Sequence, residues 1–301
     1  MNMVGIILAG GLGTRLHPTT IVTNKHFLPV YDKPMIYYPL SFLMSIGISK
    51  IIVLTSYRFA DQYRELLGSG QQWGIELNIH VEPHETSILD SLREIEPFLT
   101  TQHYCLIFGD TLINGNTFEQ VGVNYQNGNI TGNSIFKYHH DNPGSYGVLA
   151  YGTSGQVVQV IEKPVNFTST DIVPAIYFLK KETFVGMELI GRLASCKSIS
   201  DVFTLCLESN DLQIFPTTDD DVFLDLGTYE DLFCGANYVR TYQREHGLLL
   251  GSPEVYSIRN GWTSPKRLLK HANQLGKSIY KDSILSFLDS VLHATNSDQE
   301  K

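Results

Sequence analysis

The chain has 301 residues, 43% of them apolar and 18% charged, a globular composition able to bury a sizeable core in one large domain plus an appendage. Acidic side chains outnumber Lys plus Arg by 31 to 22, and the formal charge of −9 repels a polyphosphate backbone over most of the surface, which argues against nucleic acid as a partner. No stretch approaches the roughly 20 consecutive apolar residues of a membrane-spanning helix. The first residues read as a strand rather than a basic leader with a cleavage site, and Cys105, Cys196, Cys206 and Cys234 lie far apart without paired spacing. These features lead to the expectation of a cytoplasmic chain with reduced thiols and no membrane association.

From the start, apolar runs suited to buried strands alternate with segments of helical periodicity: Val4 to Leu8, Pro34 to Ile46, Lys50 to Thr55, then Phe59 to Leu67. This is the rhythm of a parallel α/β sheet. Asp32-Lys33-Pro34 reads as the opening of the first long helix, with proline at its first turn, and Gly47 as its end. Leu77 to Glu82 and Tyr104 to Phe108 continue the strands toward the carboxyl edge, where open α/β sheets hold ligands.

After about residue 130 the pattern turns β-rich, with Ser134 to His139, Gly147 to Tyr151, Val157 to Ile161 and Ile172 to Phe178 between turn-forming clusters. Antiparallel strands inserted into the sheet are expected. A helix near Ser200 to Glu208 and a strand over Val222 to Leu226 precede a long helix from Tyr229 to about Glu245. From Gly247 onward Pro253, Gly261 and Pro265 punctuate short helices, and Lys266, Arg267, Lys270 and Lys277 read as a solvated basic face. The fold class is a Rossmann-like, mostly parallel mixed sheet flanked by helices, with a catalytic domain over 1–245, its ligand-selecting portion near 130–225, and a helical region over 246–301.

Leu8-Ala9-Gly10-Gly11-Leu12-Gly13-Thr14-Arg15-Leu16 follows the first strand, and its glycines let the backbone wrap closely with N–H groups turned inward, a cradle for phosphate oxygens. A bare Gly-x-Gly is more often a tight turn without a ligand. Arg15 and Lys25 weigh against that, the first as a planar fork for β- and γ-phosphates, the second as a point charge near the α-phosphate. Neither a P-loop nor a dinucleotide fingerprint is present. Asp110 and Asp225 each end a strand, so acids remote in sequence can meet at one sheet edge and hold magnesium together with substrate phosphates; each alone is equally a cap or a turn residue. His139-His140-Asp141 reads as a polar strand end, Asp219-Asp220-Asp221 as a solvated turn, and Trp73 and Trp262 as packing residues.

The glycine-rich opening, Leu28-Pro29-Val30, Lys33-Pro34-Met35-Ile36-Tyr37-Tyr38-Pro39-Leu40, Phe108-Gly109-Asp110, Tyr146-Gly147-Val148, Glu162-Lys163-Pro164 and Leu224-Asp225-Leu226-Gly227-Thr228 occur in one order along nearly the whole chain. They resemble the bacterial sugar nucleotidyltransferase family, in its thymidylyl-transferring branch. The resemblance implies transfer of a nucleotidyl group from deoxythymidine triphosphate to glucose 1-phosphate with Mg2+. Asp110 and Asp225 would be the metal ligands, and Arg15, Lys25 and Lys163 the catalytic cations. Leu8, Gly10, Gly11, Gly13, Thr14, Glu82 and Ser87 would bind the nucleotide, and Tyr146, Gly147, Glu162, Val173 and Tyr177 the sugar. It also implies a homo-oligomer, dimer or tetramer.

Departures concentrate in the specificity shell. Glu82 stands where the family reads the base with glutamine, and Glu82-Pro83-His84-Glu85-Thr86-Ser87 replaces a glycine-containing segment. His26, Thr111, Pro174-Ala175, Ala194 and Ser198 also differ from the family pattern. Glutamate only accepts hydrogen bonds, so thymine is expected to bind less well, and cytosine or guanine donors are the alternative. Three readings stay open: the family's own reaction, the same chemistry with another base or sugar, and a non-catalytic nucleotide-binding regulator.

Overall fold

The structure, a computed structural model, describes residues 3–82, 87–99, 101–183, 191–192 and 195–299, with side chains to residue 293. Strand β1 (Val4–Leu8) leads into the glycine loop and three short 3-10 turns, Thr14–Leu16, Thr19–Ile21 and Lys25–Phe27. A small hairpin of β2 (Pro29–Val30) and β3 (Lys33–Pro34) follows, and α1 begins only at Tyr37, spanning Tyr37–Ser45. The expected helix start at Asp32-Lys33-Pro34 is thus corrected. Lys33 precedes a proline, which disfavours helical backbone, and its buried ammonium is drawn to Asp32 at 2.5 Å, Gln243 at 3.1 Å and the Leu250 carbonyl at 3.0 Å. Gly47, at φ 84, ends the helix as expected, its N–H donating to Met44 at 3.0 Å.

The chain then runs through β4 (Lys50–Ser56), α2 (Ala60–Leu67), β5 (Glu76–Glu82), α3 (Ile88–Ile95), β6 (His103–Phe108), β7 (Thr111–Asn114) and α4 (Asn116–Gln126). Strands β5, β4, β1 and β6 lie side by side and parallel, with Leu8 opposite Leu54 and Phe108 and Ser56 opposite Glu82. Their carboxyl ends therefore share one edge.

The inserted strands are β8 (Asn133–His139), β9 (Gly147–Tyr151), β10 (Val157–Glu162), β11 (Asp171–Val173) and β12 (Ile176–Lys180). After α5 (Ile199–Glu208) come β13 (Leu212–Pro216) and β14 (Val222–Asp225), then α6 (Tyr229–His246), α7 (Pro253–Arg259), α8 (Pro265–Ala272) and α9 (Ile279–Gln299). One ten-stranded mixed sheet results, in the order β10-β9-β11-β8-β12-β6-β1-β4-β5 with β13 on β8. β12 joins β6 antiparallel, so the insertion continues the parallel sheet rather than standing apart. The single strand expected over Ile172 to Phe178 is two. Pro174 cannot donate to a ladder, Ile176 N–H turns back to its carbonyl at 2.7 Å, and although both pieces pair with β8, the first alone reaches β9 and the second alone β6.

Alternating side chains feed two cores. Ile6, Leu54 and Leu106 pack on one face of the sheet, and Ile7, Val53 and Cys105 on the other. Leu268, Tyr280, Ile284 and Leu288 of the C-terminal helices join the second of these, and Trp73 donates from its indole N–H to the buried Glu254 at 3.0 Å. The expected solvated turn at Asp219-Asp220-Asp221 is corrected in part. Asp221 is buried and accepts from Thr117 N at 3.0 Å and Thr218 N at 2.8 Å, fixing the entry to α4. His139 ends β8, and His140 accepts from Asn142 N at 3.0 Å, a polar strand end.

A candidate active site at the carboxyl edge of the sheet

Asp110 follows β6 by two residues, and Asp225 is the last residue of β14. The antiparallel register of β7 and β14 sets Asp225 opposite Thr111, and Leu226 N–H donates to the Asp110 carbonyl at 2.9 Å. Two acids remote in sequence thereby become neighbours. Each faces a cation: Lys25 donates to Asp110 in a close ion pair, and Arg15 Nη2 lies 3.8 Å from Asp225 Oδ2. Burial pushes the Asp225 carboxyl up to about 6, the charge of Asp110 adds to this, and Arg15 opposes it. Burial is the largest single effect on Asp110 and works upward, but the charge and hydrogen bond of Lys25, together with His26 and a backbone N–H, hold that carboxyl below its ordinary value. One acid is thus fully charged and the second is strained by it.

Two hard oxygen donors under mutual repulsion suit a divalent cation of the magnesium type, which takes one or two carboxylates and completes its shell with phosphates and water. Among the described residues no group of three or more His, Cys, Asp or Glu assembles that could hold a metal ion.

The backbone beside this cluster is shaped by glycine. Gly13 is left-handed at φ 64, and a Cβ there would come within 3.0 Å of the Lys25 side chain. A Cβ on Gly10 would lie 2.8 Å from Glu82 Oε2, and one on Gly227 would run into the Arg15 guanidinium. Asn24 accepts from His26 N at 3.0 Å and so starts the turn that carries Lys25. His26 is buried, with Nδ1 2.8 Å from the Tyr63 hydroxyl; burial first and Lys25 second push it down to about 3, against Asp110, so it is neutral.

Two cavities open at this edge, of about 480 and 460 Å3. They share Lys25, Asp110, Ile88 and Phe108. The first is lined by Arg15, Asp225, Tyr146, Gly147, Glu162, Lys163, Val173 and Tyr177, the second by Leu8, Gly10, Gly11, Gly13, Thr14 and Glu82. In the first, Ser200 donates to Glu162 at 2.6 Å, and Lys163, at φ 43, is held by its N–H to the Tyr146 carbonyl at 2.9 Å while its ammonium stays exposed.

Residues 4–241 match the Nucleotidyl transferase family. This chain belongs to that family. It is similar to the glucose-1-phosphate thymidylyltransferase of Neisseria meningitidis serogroup A, 34% identical over 287 residues that cover 95% of this chain and 99% of the relative. It is also similar to that of Mycobacterium tuberculosis, 33% identical over 288 residues, with the same coverage of 95% and 99%. Among solved structures, a Bacillus anthracis protein provisionally described as a glucose-1-phosphate thymidylyltransferase, in complex with a sucrose, superposes with a TM-score of 0.71 at 28% identity, covering 79% of this chain and 95% of that one.

Within this nucleotidyl transferase, nearly every residue proposed from sequence lies in one of the two cavities. Ser87 does not. It caps α3, accepting from Asp90 N at 3.2 Å and donating to Asp90 Oδ2 at 2.7 Å, and it is exposed. Pro83 to Thr86 and Ala194 fall outside the described residues. Ser198 has a local role, forming a reciprocal capping box with Asp201 at the start of α5. Several lining residues were not foreseen: Ile88 and Phe108 at the junction, Phe223 and Ser200 in the first cavity, and Ser91 and Ser56 beside the glycine loop. Of these, Phe108 lies within Phe108-Gly109-Asp110 and Ser200 at the start of the expected helix near Ser200 to Glu208, but neither was assigned to the site.

Proposed function

We propose that the chain joins a nucleoside triphosphate to a sugar 1-phosphate and releases pyrophosphate, with a magnesium ion held by Asp110 and Asp225. The observation that carries this reading is the junction itself: two acids and two cations stand where a glycine-walled cavity meets one lined by hydroxyl-binding groups. The names of the relatives make deoxythymidine triphosphate and glucose 1-phosphate the first pair to assay.

The reaction needs no general base, because the attacking phosphate monoester is already mostly ionised at neutral pH. Its oxygen attacks the α-phosphorus in line, the bond from that phosphorus to the α,β-bridging oxygen breaks, and pyrophosphate departs with the electron pair. Lys163 would hold the sugar phosphate with its exposed ammonium, while Glu162, positioned by Ser200, accepts a sugar hydroxyl. Lys25 faces the α-phosphate as charge grows there, and Arg15 forks onto the departing phosphates. The magnesium ion, when bound, would neutralise phosphate charge and template the triphosphate. No covalent enzyme intermediate enters this scheme.

The cation pairs also support a role in substrate exchange. With Lys25 on Asp110 and Arg15 near Asp225, the site neutralises itself, and substrate exchanges these partners for phosphate and metal. The test is pyrophosphate release from purified protein with magnesium, each nucleoside triphosphate and a panel of sugar 1-phosphates. Release that requires both substrates supports the reading; nucleotide binding without turnover under every pairing would replace it with a regulatory role. No helix among the described residues is long and apolar enough to cross a membrane. Family kinship supports a cytoplasmic homo-oligomer, dimer or tetramer, which light scattering on the pure protein measures.

A further inference from the structure

Resting on the reaction above, we propose that Tyr229 is a positioning residue for Arg15. Its phenol ties the turn that carries Arg15 to the start of α6, so that the guanidinium is pre-set for the β- and γ-phosphates. The side chain of Arg15 is 56% exposed, and its ion pair with Asp225 spans 3.8 Å, too far for a hydrogen bond. A long cation in water samples many rotamers, and a phosphate that binds it must offset the entropy of ordering it. Fixing the backbone beneath it lowers that cost in advance.

Local hydrogen bonds first fold the loop on itself. Leu16 N–H donates to the Gly13 carbonyl at 2.9 Å and Thr20 Oγ1 to the same carbonyl at 2.7 Å, which draws the turn over Thr19–Ile21 onto the one over Thr14–Leu16. Arg58 holds the far end, at the Ile21 carbonyl. The link to the segment that carries Asp225 is Tyr229. Its hydroxyl donates to the Leu16 carbonyl, one residue beyond Arg15, at 2.8 Å. With the phenolic proton so engaged, the Thr19 hydroxyl, also at 2.8 Å, is left as the donor to Oη, and one oxygen bridges both turns. The base of the phenol is fixed as well. Tyr229 is the first residue of α6, and Thr228 caps that helix reciprocally, accepting from Asp231 N at 3.2 Å and donating from its own N–H to Asp231 Oδ2 at 3.1 Å. One short segment thus acts on Arg15 three times: Asp225 by charge, Gly227 by leaving room for the guanidinium, and Tyr229 by holding the backbone. When Arg15 exchanges Asp225 for phosphate, only its side chain has to move.

The experiment compares wild type, Tyr229→Phe, Arg15→Met and the double variant. Calorimetry measures their affinities for magnesium pyrophosphate, deoxythymidine triphosphate and deoxythymidine monophosphate, and pyrophosphate release gives the KM of each substrate. Tyr229→Phe removes only the oxygen of a ring that is 48% exposed, so the urea midpoint is expected to stay nearly unchanged. It is expected to weaken pyrophosphate and triphosphate binding about fivefold, the worth of one hydrogen bond, and to raise the triphosphate KM alike. Monophosphate affinity and the KM for glucose 1-phosphate stay within about twofold, because neither ligand reaches Arg15 through a β- or γ-phosphate. Arg15→Met weakens pyrophosphate and triphosphate binding about tenfold or more, and adding Tyr229→Phe to it costs nothing further. An equal loss for the monophosphate, a further loss in the double variant, wild-type binding in either single variant, or no binding of pyrophosphate and triphosphate at all would overturn the inference. The expected binding pattern without pyrophosphate release from any pairing would sink the proposed reaction and leave this inference standing.

Discussion

Replacing Lys25 by Met removes one charge from a buried pair and leaves the other. The two side chains keep only 14% and 9% of their exposure, so Asp110 loses its counter-charge with little water to replace it. Breaking such a pair from one side costs on the order of 3–5 kcal/mol. Burial already drives the Asp110 carboxyl upward, so with Lys25 gone it protonates more readily, which places the loss toward the lower end of that range. Lys25→Met with Asp110→Asn removes both charges at similar volume and is expected to recover about 2 kcal/mol of the loss. Activity follows a different rule: Lys25→Met loses the cation proposed to face the α-phosphate and about 100- to 1000-fold in kcat, and the double variant, which also lacks a proposed magnesium ligand, loses at least as much although it is the more stable of the two. Urea unfolding followed by tryptophan fluorescence gives the stabilities, and pyrophosphate release on the same preparations gives the rates. A single variant within about 1 kcal/mol of wild type, or a double variant no more stable than the single, would refute the argument that the pair is electrostatically coupled.

Acid stability is expected to report His26. The unfolded chain binds a proton near 6.5 but native His26 does not until about 3, so stability falls as pH drops through this window, by about 1.4 kcal/mol per unit and roughly 2 kcal/mol between pH 7.5 and 5. His26→Gln lacks this slope; equal pH dependence of the urea midpoint in both proteins contradicts it. Glu254 is 1% exposed and accepts from Trp73 at 3.0 Å, Ser252 at 2.9 Å and Tyr280, so Glu254→Ala leaves buried donors unpaired and is expected to lose about 3 kcal/mol or more, with earlier proteolysis in the C-terminal helices. Gly227→Ala drives a methyl group into the flexible Arg15 guanidinium. Its nucleotide KM is expected to rise about tenfold with the urea midpoint nearly unchanged, and a normal KM would show that Arg15 does not need that space.

Much of this arrangement is legible in residues, because periodicity and punctuation act locally. The run Val4 to Leu8 followed by closely spaced glycines, and the two aspartates that each close an apolar run, can be read without coordinates. What is not legible depends on partners far along the chain. The register of β7 with β14 decides that Asp225 lies opposite Thr111 rather than one pleat away, and nothing in either segment alone sets it. Lys33 is extended rather than helical because Gln243 and Leu250 receive its ammonium. Glu82 could be seen as a departure, but its clamp by Ser91 exists only once α3 packs back over β5. Pro174 is the opposite case: the break was visible, and the apolar run on both sides masked it.

The account rests on two cavities presenting their ligands to opposite sides of one α-phosphorus, and the stereochemical course of transfer tests this most directly. With a nucleoside 5′-(1-thiotriphosphate) of defined configuration and a sugar 1-phosphate, one in-line displacement inverts the configuration at that phosphorus, which is the predicted result. Retention would require a second displacement through a covalent enzyme intermediate, and would contradict the mechanism at its centre.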